Sequence, residues 1–443
     1  MKKFLFISAL ALMVSNLTFA GGILTNTNQH ISFLRMIARG ASIDIDGVYS
    51  NPAGLGFLED GFYLSLNGQS AYQTRTIHST FALFGAEPRK YKGTASAPFI
   101  PSVQAAYKMG NWAFSGSFAV TGGGGKASFD TGLPMFDSKI MALLALNGLN
   151  SSMYTINSAM DGKQYIYGFQ LGASYKINDY LSVFAGGRMN YVKSGYEGYL
   201  RTTANPGYEE VIPSGALPII ELDCDQAGWG ITPIIGADVK LGKWNLGLKY
   251  EFMTNVNIEN KTKMSYSPNN PNLQEALKPY EHGVNTPNDI PALLTAALGY
   301  EILPTLRATV EYHQFFDKDA GMANNKQKAL KGNTHEYLFG VEWDVLDRLT
   351  ISAGYQKTDY GLSDDFQVDT SFSCDSYSVG LGAAINLSSR LKLNVGYFWT
   401  SYSDYTKDVA AANPGGYNGT TMAGKDVYSR TNKVFGLGID YKF

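Results

Sequence analysis

The sequence is short of charge. Of 443 residues, 36 are Lys or Arg and 38 are Asp or Glu, so charged side chains make up 17%, against roughly 25% in an ordinary soluble domain. The formal net charge of −2 supplies no basic excess to neutralise phosphates, which argues against a nucleic-acid binder. Two cysteines exclude a disulfide-built scaffold and a Cys-rich zinc module. A mean hydropathy of −0.14 excludes a bundle of membrane helices. What is abundant is aromatic and glycine: 29 Tyr, 24 Phe and 48 Gly. Such a chain is too apolar to stay disordered. One class of membrane protein passes all these cuts. In a transmembrane β-barrel only every second residue meets lipid, so hydropathy stays near that of soluble proteins.

The N-terminus reads as an address. Met1-Lys2-Lys3 is basic, Phe4 to Phe19 is apolar apart from small polar residues, and Thr18-Phe19-Ala20 offers small residues where a signal peptidase cuts. Residues 1–20 are therefore expected to be a secretory signal peptide. The apolar run is shorter than the ~20 residues that a membrane anchor helix needs.

From residue 61 onward the apolar period is two, which is strand periodicity. Phe435, Leu437, Ile439, Tyr441 and Phe443 alternate with Gly436, Gly438, Asp440 and Lys442. Trp244, Leu246, Leu248 and Tyr250 alternate with Asn245, Gly247, Lys249 and Glu251. Fourteen such segments are expected, starting near residues 61, 101, 111, 163, 180, 227, 243, 291, 305, 334, 348, 375, 391 and 427. The connections alternate between short turns, such as Asn178-Asp179 and Leu346-Asp347, and long segments rich in Gly, Pro, Asn and Ser. A soluble β-sandwich also alternates but has no reason for this asymmetry. The expected fold class is an all-β membrane protein, a 14-stranded antiparallel transmembrane β-barrel over residues 61–443. Its short turns would face the periplasm, and its terminal Phe443 suits recognition by the outer-membrane insertion machinery. Residues 21–60 lack strand periodicity and are expected to form an N-terminal plug, or hatch, because a wide barrel encloses a cavity that something has to fill.

That segment carries Ala38-Arg39-Gly40-Ala41, then Asp44 and Asp46, then Asn51-Pro52-Ala53-Gly54-Leu55. With the signal peptide before it and fourteen strands after it, the chain resembles the FadL/TodX family of outer-membrane transporters for long-chain fatty acids and related hydrophobic compounds. Pro98-Phe99-Ile100-Pro101 and the Gly-rich stretch Gly116 to Gly125 resemble the family too. The resemblance implies capture of a ligand among the external loops and passage to a pocket beside the hatch. Exit follows sideways through a gap at an inward kink of the third strand. Carried over, Asn51, Pro52 and Ala53 would face that gap, Gly116 would mark the kink in Asn111 to Thr121, and Gly21, Gly22, Ile23 and Leu24 would be the gating N-terminus. The physical case is independent. An apolar molecule gains about 0.8 kcal/mol per buried CH₂ by staying out of water, so exit into the bilayer is downhill. The plainer reading of Asn51-Pro52-Ala53 is a turn that feeds the first strand.

Met135, Phe136, Met141 and Leu144 lie in a long external loop as part of an apolar, helix-spaced cluster. They would either capture ligand or fold over the barrel mouth. Arg188 has inward parity and Lys193 lies near the outer end of the same strand. They would meet a carboxylate head group, or else Arg188 would join a lumenal ladder with Glu251, Glu311 or Glu342. Cys224 and Cys374 fall in predicted external loops, either bridged or unpaired. No HExxH, CxxC or Walker-type loop accompanies the five His, so no enzyme, metal or cofactor is expected.

The reading is an outer-membrane channel of Gram-negative type for passive uptake of fatty acids or aromatic hydrocarbons. Its partners would be the hydrophobic ligand, the lipid bilayer, lipopolysaccharide and the insertion machinery, with no nucleic acid, and the chain would act as a monomer. The rival reading is a non-transporting barrel that serves as an adhesin or a porin-like structural protein.

Overall fold

The structure is a computed structural model that describes residues 25–212, 215, 217–268, 274, 277–413 and 415–443. The expected signal peptide, residues 1–20, and Gly21 to Leu24 lie outside the described residues. Fourteen antiparallel strands follow one another around a closed barrel. They are β1 (Gly61–Phe81), β2 (Arg89–Met109), β3 (Trp112–Phe129), β4 (Tyr154–Lys176), β5 (Leu181–Ala204), β6 (Ile219–Leu241), β7 (Trp244–Glu251 with Asn257–Ser267) and β8 (Asn285–Pro287 with Leu293–Leu303). Then come β9 (Leu306–Phe315), β10 (Thr334–Leu346), β11 (Leu349–Asp359), β12 (Ser376–Asn386), β13 (Leu391–Tyr402 with Tyr405–Val409) and β14 (Gly424–Lys442). β14 closes on β1 in unbroken register from Tyr63–Lys442 to Phe81–Gly424.

Polarity is the reverse of a soluble protein. Leu66, Tyr72, Phe114, Trp229, Val310 and Leu437 are exposed, whereas Ser65, Asn67, Gln104, Asn190, Gln356 and Asn394 are buried. Each strand turns its apolar parity outward and its polar parity into the lumen. Aromatic pairs ring the short-turn end: Trp112 with Tyr175 at 4.6 Å, Trp244 with Tyr300 at 4.2 Å and Phe62 with Phe443 at 5.1 Å. Such girdles mark the interface between lipid and water.

Several strands begin earlier than their apolar alternation does. β2 starts at Arg89, β4 at Tyr154, β6 at Ile219 and β8 at Asn285. A bilayer needs only ~9–11 residues of tilted strand, but β5 has 24. Beyond the lipid, outward positions no longer need to be apolar, so the pattern fades while the ladder continues.

Residues 25–58 occupy the lumen. A short helix, α1 (Ile31–Met36), packs on β10–β14. Glycines on those strands make room for it: a Cβ on Gly340, Gly354 or Gly380 would come within 2.5 Å of the carbonyl oxygens of Met36 or Leu34. Buried and half-buried polar contacts fix the segment to the wall. Arg35 and Arg39 both reach Glu342 (2.5 and 3.2 Å), His30 meets Asp440 (3.2 Å) and Lys392 meets Asp44 (2.6 Å). Glu311 accepts from the Gly40 amide at 2.7 Å.

Candidate functional site

The barrel wall has one interruption in its pairing between β2 and β3. The two strands pair from Met109–Trp112 to Ser102–Ala119, and again from Ser96–Lys126 to Thr94–Ser128. Ala97 to Pro101 and Val120 to Gly125 lie between these runs. The sequence explains both sides. Pro98 and Pro101 have no amide hydrogen to give a ladder. On the β1 side, Gln69 pairs with Ile100 and Ala71 with Ala97, so Pro98 and Phe99 bulge opposite Ser70, whose hydroxyl donates to the Pro98 carbonyl at 2.8 Å. Phe99 is left 70% exposed. On β3, register shifts fall at Val120/Gly122 and Gly123/Gly125. Gly123 and Gly125 have φ of 87° and 78°, a region that suits glycine. The alternation of burial is lost and Thr121 through Gly125 are all buried. The strand turns away from lipid there, as bulged strands do.

Behind the interruption runs the beginning of the described chain. Thr25 bridges to Gly122. The Asn26 amide donates to the Thr121 carbonyl (2.8 Å), and its side chain donates to the Gly123 carbonyl (3.1 Å). Asn28 and Gln69 exchange hydrogen bonds (3.0 and 2.6 Å), and Ser102 donates to the Gln29 carbonyl (2.6 Å). The Thr121 and Gly123 carbonyls of β3 thus find donors on a segment outside the barrel wall.

Gly116 is not part of this feature. It stands in regular register between Ala105 and Leu171, and the register shifts begin four residues further on. Asn51, Pro52 and Ala53 sit elsewhere as well. Asn51 donates to Asp238 on β6 (2.5 Å) and to the Ser42 carbonyl (3.1 Å). The Pro52 carbonyl accepts from Ser174 on β4 (2.6 Å), and Ala53 packs on Phe184 and Ile234. The tripeptide is the anchor of the 3-10 turn Pro52–Phe57 against β4–β6. Among the described residues, none of its hydrogen bonds reaches Ala97–Pro101 or Val120–Gly125. The strip Thr25–Gln29, which the sequence reading did not single out, occupies the place expected for it.

No protein-family model matches the sequence, and no curated protein is significantly similar to it. Solved structures are. A FadL homologue of Pseudomonas aeruginosa is 15% identical, covers 97% of this chain and 100% of its own, and superposes with a TM-score of 0.71. The P. putida toluene transporter TodX is 16% identical over 90% of this chain and 94% of its own, at 0.61. The Ralstonia pickettii toluene transporter TbuX is 13% identical over the same shares, at 0.58. The fold is that of the FadL-type channels.

At the long-loop end of this FadL-type barrel, α2 (Pro134–Leu146) folds inward. Met135, Phe136, Met141 and Leu144 are all buried, in one cluster with Phe81, Tyr91, Tyr196, Phe372 and Tyr428. Of the two readings of this helix, the one that covers the mouth fits the burial. An apolar cleft survives beside it, lined by Phe136, Ile140, Met160, Leu200, Leu222 and Tyr280. The helix is pinned through polar contacts: Asp369 accepts from the Met135 amide (2.7 Å), and Asp137 accepts from the Tyr91 hydroxyl (2.8 Å). Burial pushes the Asp137 carboxyl up to about 6.

The head-group candidates separate. Arg188 is lumenal but committed. It donates to Glu251 (2.7 Å) and Gln170, and it lies with Lys249 over the Tyr49 ring. Lys193 is exposed on the opposite parity of β5, outside the lumen. Its odd number against the even Arg188 carried that signal. Cys224 and Cys374 are unbridged. Cys224 accepts from the Thr262 hydroxyl at 3.1 Å, and Cys374 lies 3.6 Å from the Tyr428 carbonyl.

Proposed function

We propose that this chain is an outer-membrane channel for passive uptake of hydrophobic molecules, fatty acids or aromatic hydrocarbons, and that ligand leaves sideways between β2 and β3. The observation that carries the reading is the pairing gap of Ala97–Pro101 against Val120–Gly125, stitched from inside by Thr25 and Asn26. A rigid adhesin has no use for a wall whose seal is a separate segment. The long loops face outward, and the apolar cleft beside α2 receives ligand. The lumenal segment 25–58 is the hatch, and the N-terminal residues that lead into Thr25, Gly21 to Leu24, act as the gate. Solved channels of this fold include two titled as toluene transporters, which supports an apolar cargo.

The test is a lock. Thr25 and Gly122 are bridge partners, a spacing that suits a disulfide. The Thr25→Cys/Gly122→Cys double variant, oxidised, is expected to lower uptake of labelled oleate or toluene into vesicles about tenfold, and reductant should restore it. Uptake that ignores the lock would remove the lateral route. Uptake no faster than in vesicles without protein would remove the transport reading.

A further inference from the structure

The outward face of the barrel changes character above its upper aromatic row. On β13, β14 and β1 that row is Trp399, Lys433 and Tyr72, opposite one another in register and all exposed. Trp399 meets Tyr377 of β12 at 6.3 Å. Aromatic girdles of this kind mark the edge of the hydrocarbon. From there toward the long loops, the outward positions of β14, β1 and β2 turn polar. First comes a row of hydroxyls, Thr431, Thr74 and Thr94, then Lys92, then His78 beside Lys90, and last Lys425. His78 lies six residues beyond Tyr72, which is about 20 Å of strand and about 15 Å of height at a tilt of ~40°. The polar field therefore starts at the lipid edge and runs through the head-group layer.

Elsewhere on the same collar, cations sit beside acids. Lys126 pairs with Asp161 (2.6 Å), Lys163 with Asp225 (2.8 Å), Arg201 with Glu221 (2.6 Å) and Lys357 with Asp359 (3.2 Å). Lys90, Lys92 and Lys425 differ. All three are exposed, and none makes an ion pair or side-chain hydrogen bond among the described residues. The nearest acids are Asp408, opposite Lys425 on β13, and Asp130 just past the end of β3; neither bonds to these lysines. Neighbouring strands are ~4.8 Å apart, so the three lysine arms reach one common ligand, and their like charges favour an anionic one. Ammonium groups over a row of hydroxyls are donors that suit phosphate and sugar oxygens. Basic clusters at a membrane surface draw anionic lipid head groups. On the outer leaflet of a Gram-negative outer membrane, the anionic head groups are phosphates carried on sugars.

We infer that β14, β1 and β2 hold a lipopolysaccharide molecule against the outside of the barrel. Its lipid A phosphates lie on Lys90, Lys92 and Lys425, its sugars on the threonine row and its acyl chains on Tyr72 below. The site is separate from the lumen. Lys92 stands six residues before Pro98 on β2, so the bound glycolipid roofs the pairing gap. The inference goes beyond the channel reading and does not depend on transport. It requires only an outer-membrane barrel with its long loops outward.

Equilibrium binding to the full-length barrel in a non-ionic detergent, with a chelator present to remove divalent bridges, tests it. The probes are bisphosphorylated lipid A, the same lipid A without its phosphates, and inorganic phosphate. Wild-type protein is expected to bind the phosphorylated form at least about tenfold more tightly than the dephosphorylated one, and added salt should shrink that preference. The triple variant Lys90→Gln/Lys92→Gln/Lys425→Gln should reduce it to within about twofold. The control Lys261→Gln/Lys263→Gln/Lys357→Gln removes the same charge from other parts of the collar and should keep it. All six side chains are exposed, and the unboiled band reports the folded barrel in each variant. No preference in wild-type protein, an intact preference in the first variant, or equal losses in both would overturn the inference. So would inorganic phosphate binding as tightly as phosphorylated lipid A, since the lysines would then hold a free anion. Wild-type protein that prefers phosphorylated lipid A but carries neither toluene nor oleate would strike the channel reading alone.

Discussion

Single side chains hold the lumenal segment 25–58, and they do so through charge. Glu342 takes Arg35, Arg39 and Arg307 at once, at 2.5, 3.2 and 3.0 Å. Glu342→Gln would leave the buried Arg35 without its carboxylate, while Arg39 keeps Asp46 and Arg307 keeps Asp344; breaking such a buried pair costs about 3–5 kcal/mol. Hydrogen exchange should show Ile31–Met36 losing protection while the strands keep theirs; unchanged protection would mean that the pairs are dispensable. At the mouth, Asp137 sets a pH dependence. Its folded value of about 6 stands above the ordinary 3.8. The stability it confers is therefore full below the lower value and is lost as pH rises through the upper one. Docking of α2 should weaken between pH 4 and 7 by at most about 3 kcal/mol. Asp137→Asn should flatten that slope, read as exchange protection over residues 134–146 after correction for intrinsic rates. A slope unchanged in the variant would assign it elsewhere. Parity in the sequence identified Arg188 as lumenal and named Glu251 among its partners. It could not identify Glu342 as the partner of Arg35, because 307 residues separate them and only closure of the barrel brings them together.

At the level of elements, the ladder between β2 and β3 is broken where two prolines face a run of glycines. A Cβ at Gly123 would sit 2.3 Å from the Gln164 carbonyl, and its φ is positive. At Gly116 the conflict is with one flexible Leu171 methyl at 2.9 Å and the Gln170 carbonyl at 3.3 Å. Gly123→Ala is thus expected to disturb the bulge and cut uptake severalfold, while Gly116→Ala leaves uptake near wild type. The opposite ranking would move the exit to Gly116. Strand number and most strand starts were legible because lipid on one face and a polar lumen on the other enforce a period of two. The pairing gap was legible only in part. Two prolines within one strand and a run of glycines in the next were visible, and both signal a broken ladder. The strip Thr25–Gln29 was not, since its contacts are backbone and amide bonds that leave no periodic trace. The tripeptide at Asn51 was placed beside the gap by resemblance alone, and its hydrogen bonds put it against β4–β6 instead.

The whole molecule is an inverted globule whose exterior is its hydrophobic layer. A charge on that exterior is costly at bilayer depth. Leu437, exposed on β14 between Phe435 and Ile439, should lose about 2–4 kcal/mol on replacement by Arg, measured by reversible unfolding in lipid vesicles. A loss near zero would place this row in water. His30 contacts Ser65 on the first strand and Asp440 on the last, so the interior segment fastens both strands of the closing seam, and parting β14 from β1 would forfeit its contacts along with the ladder.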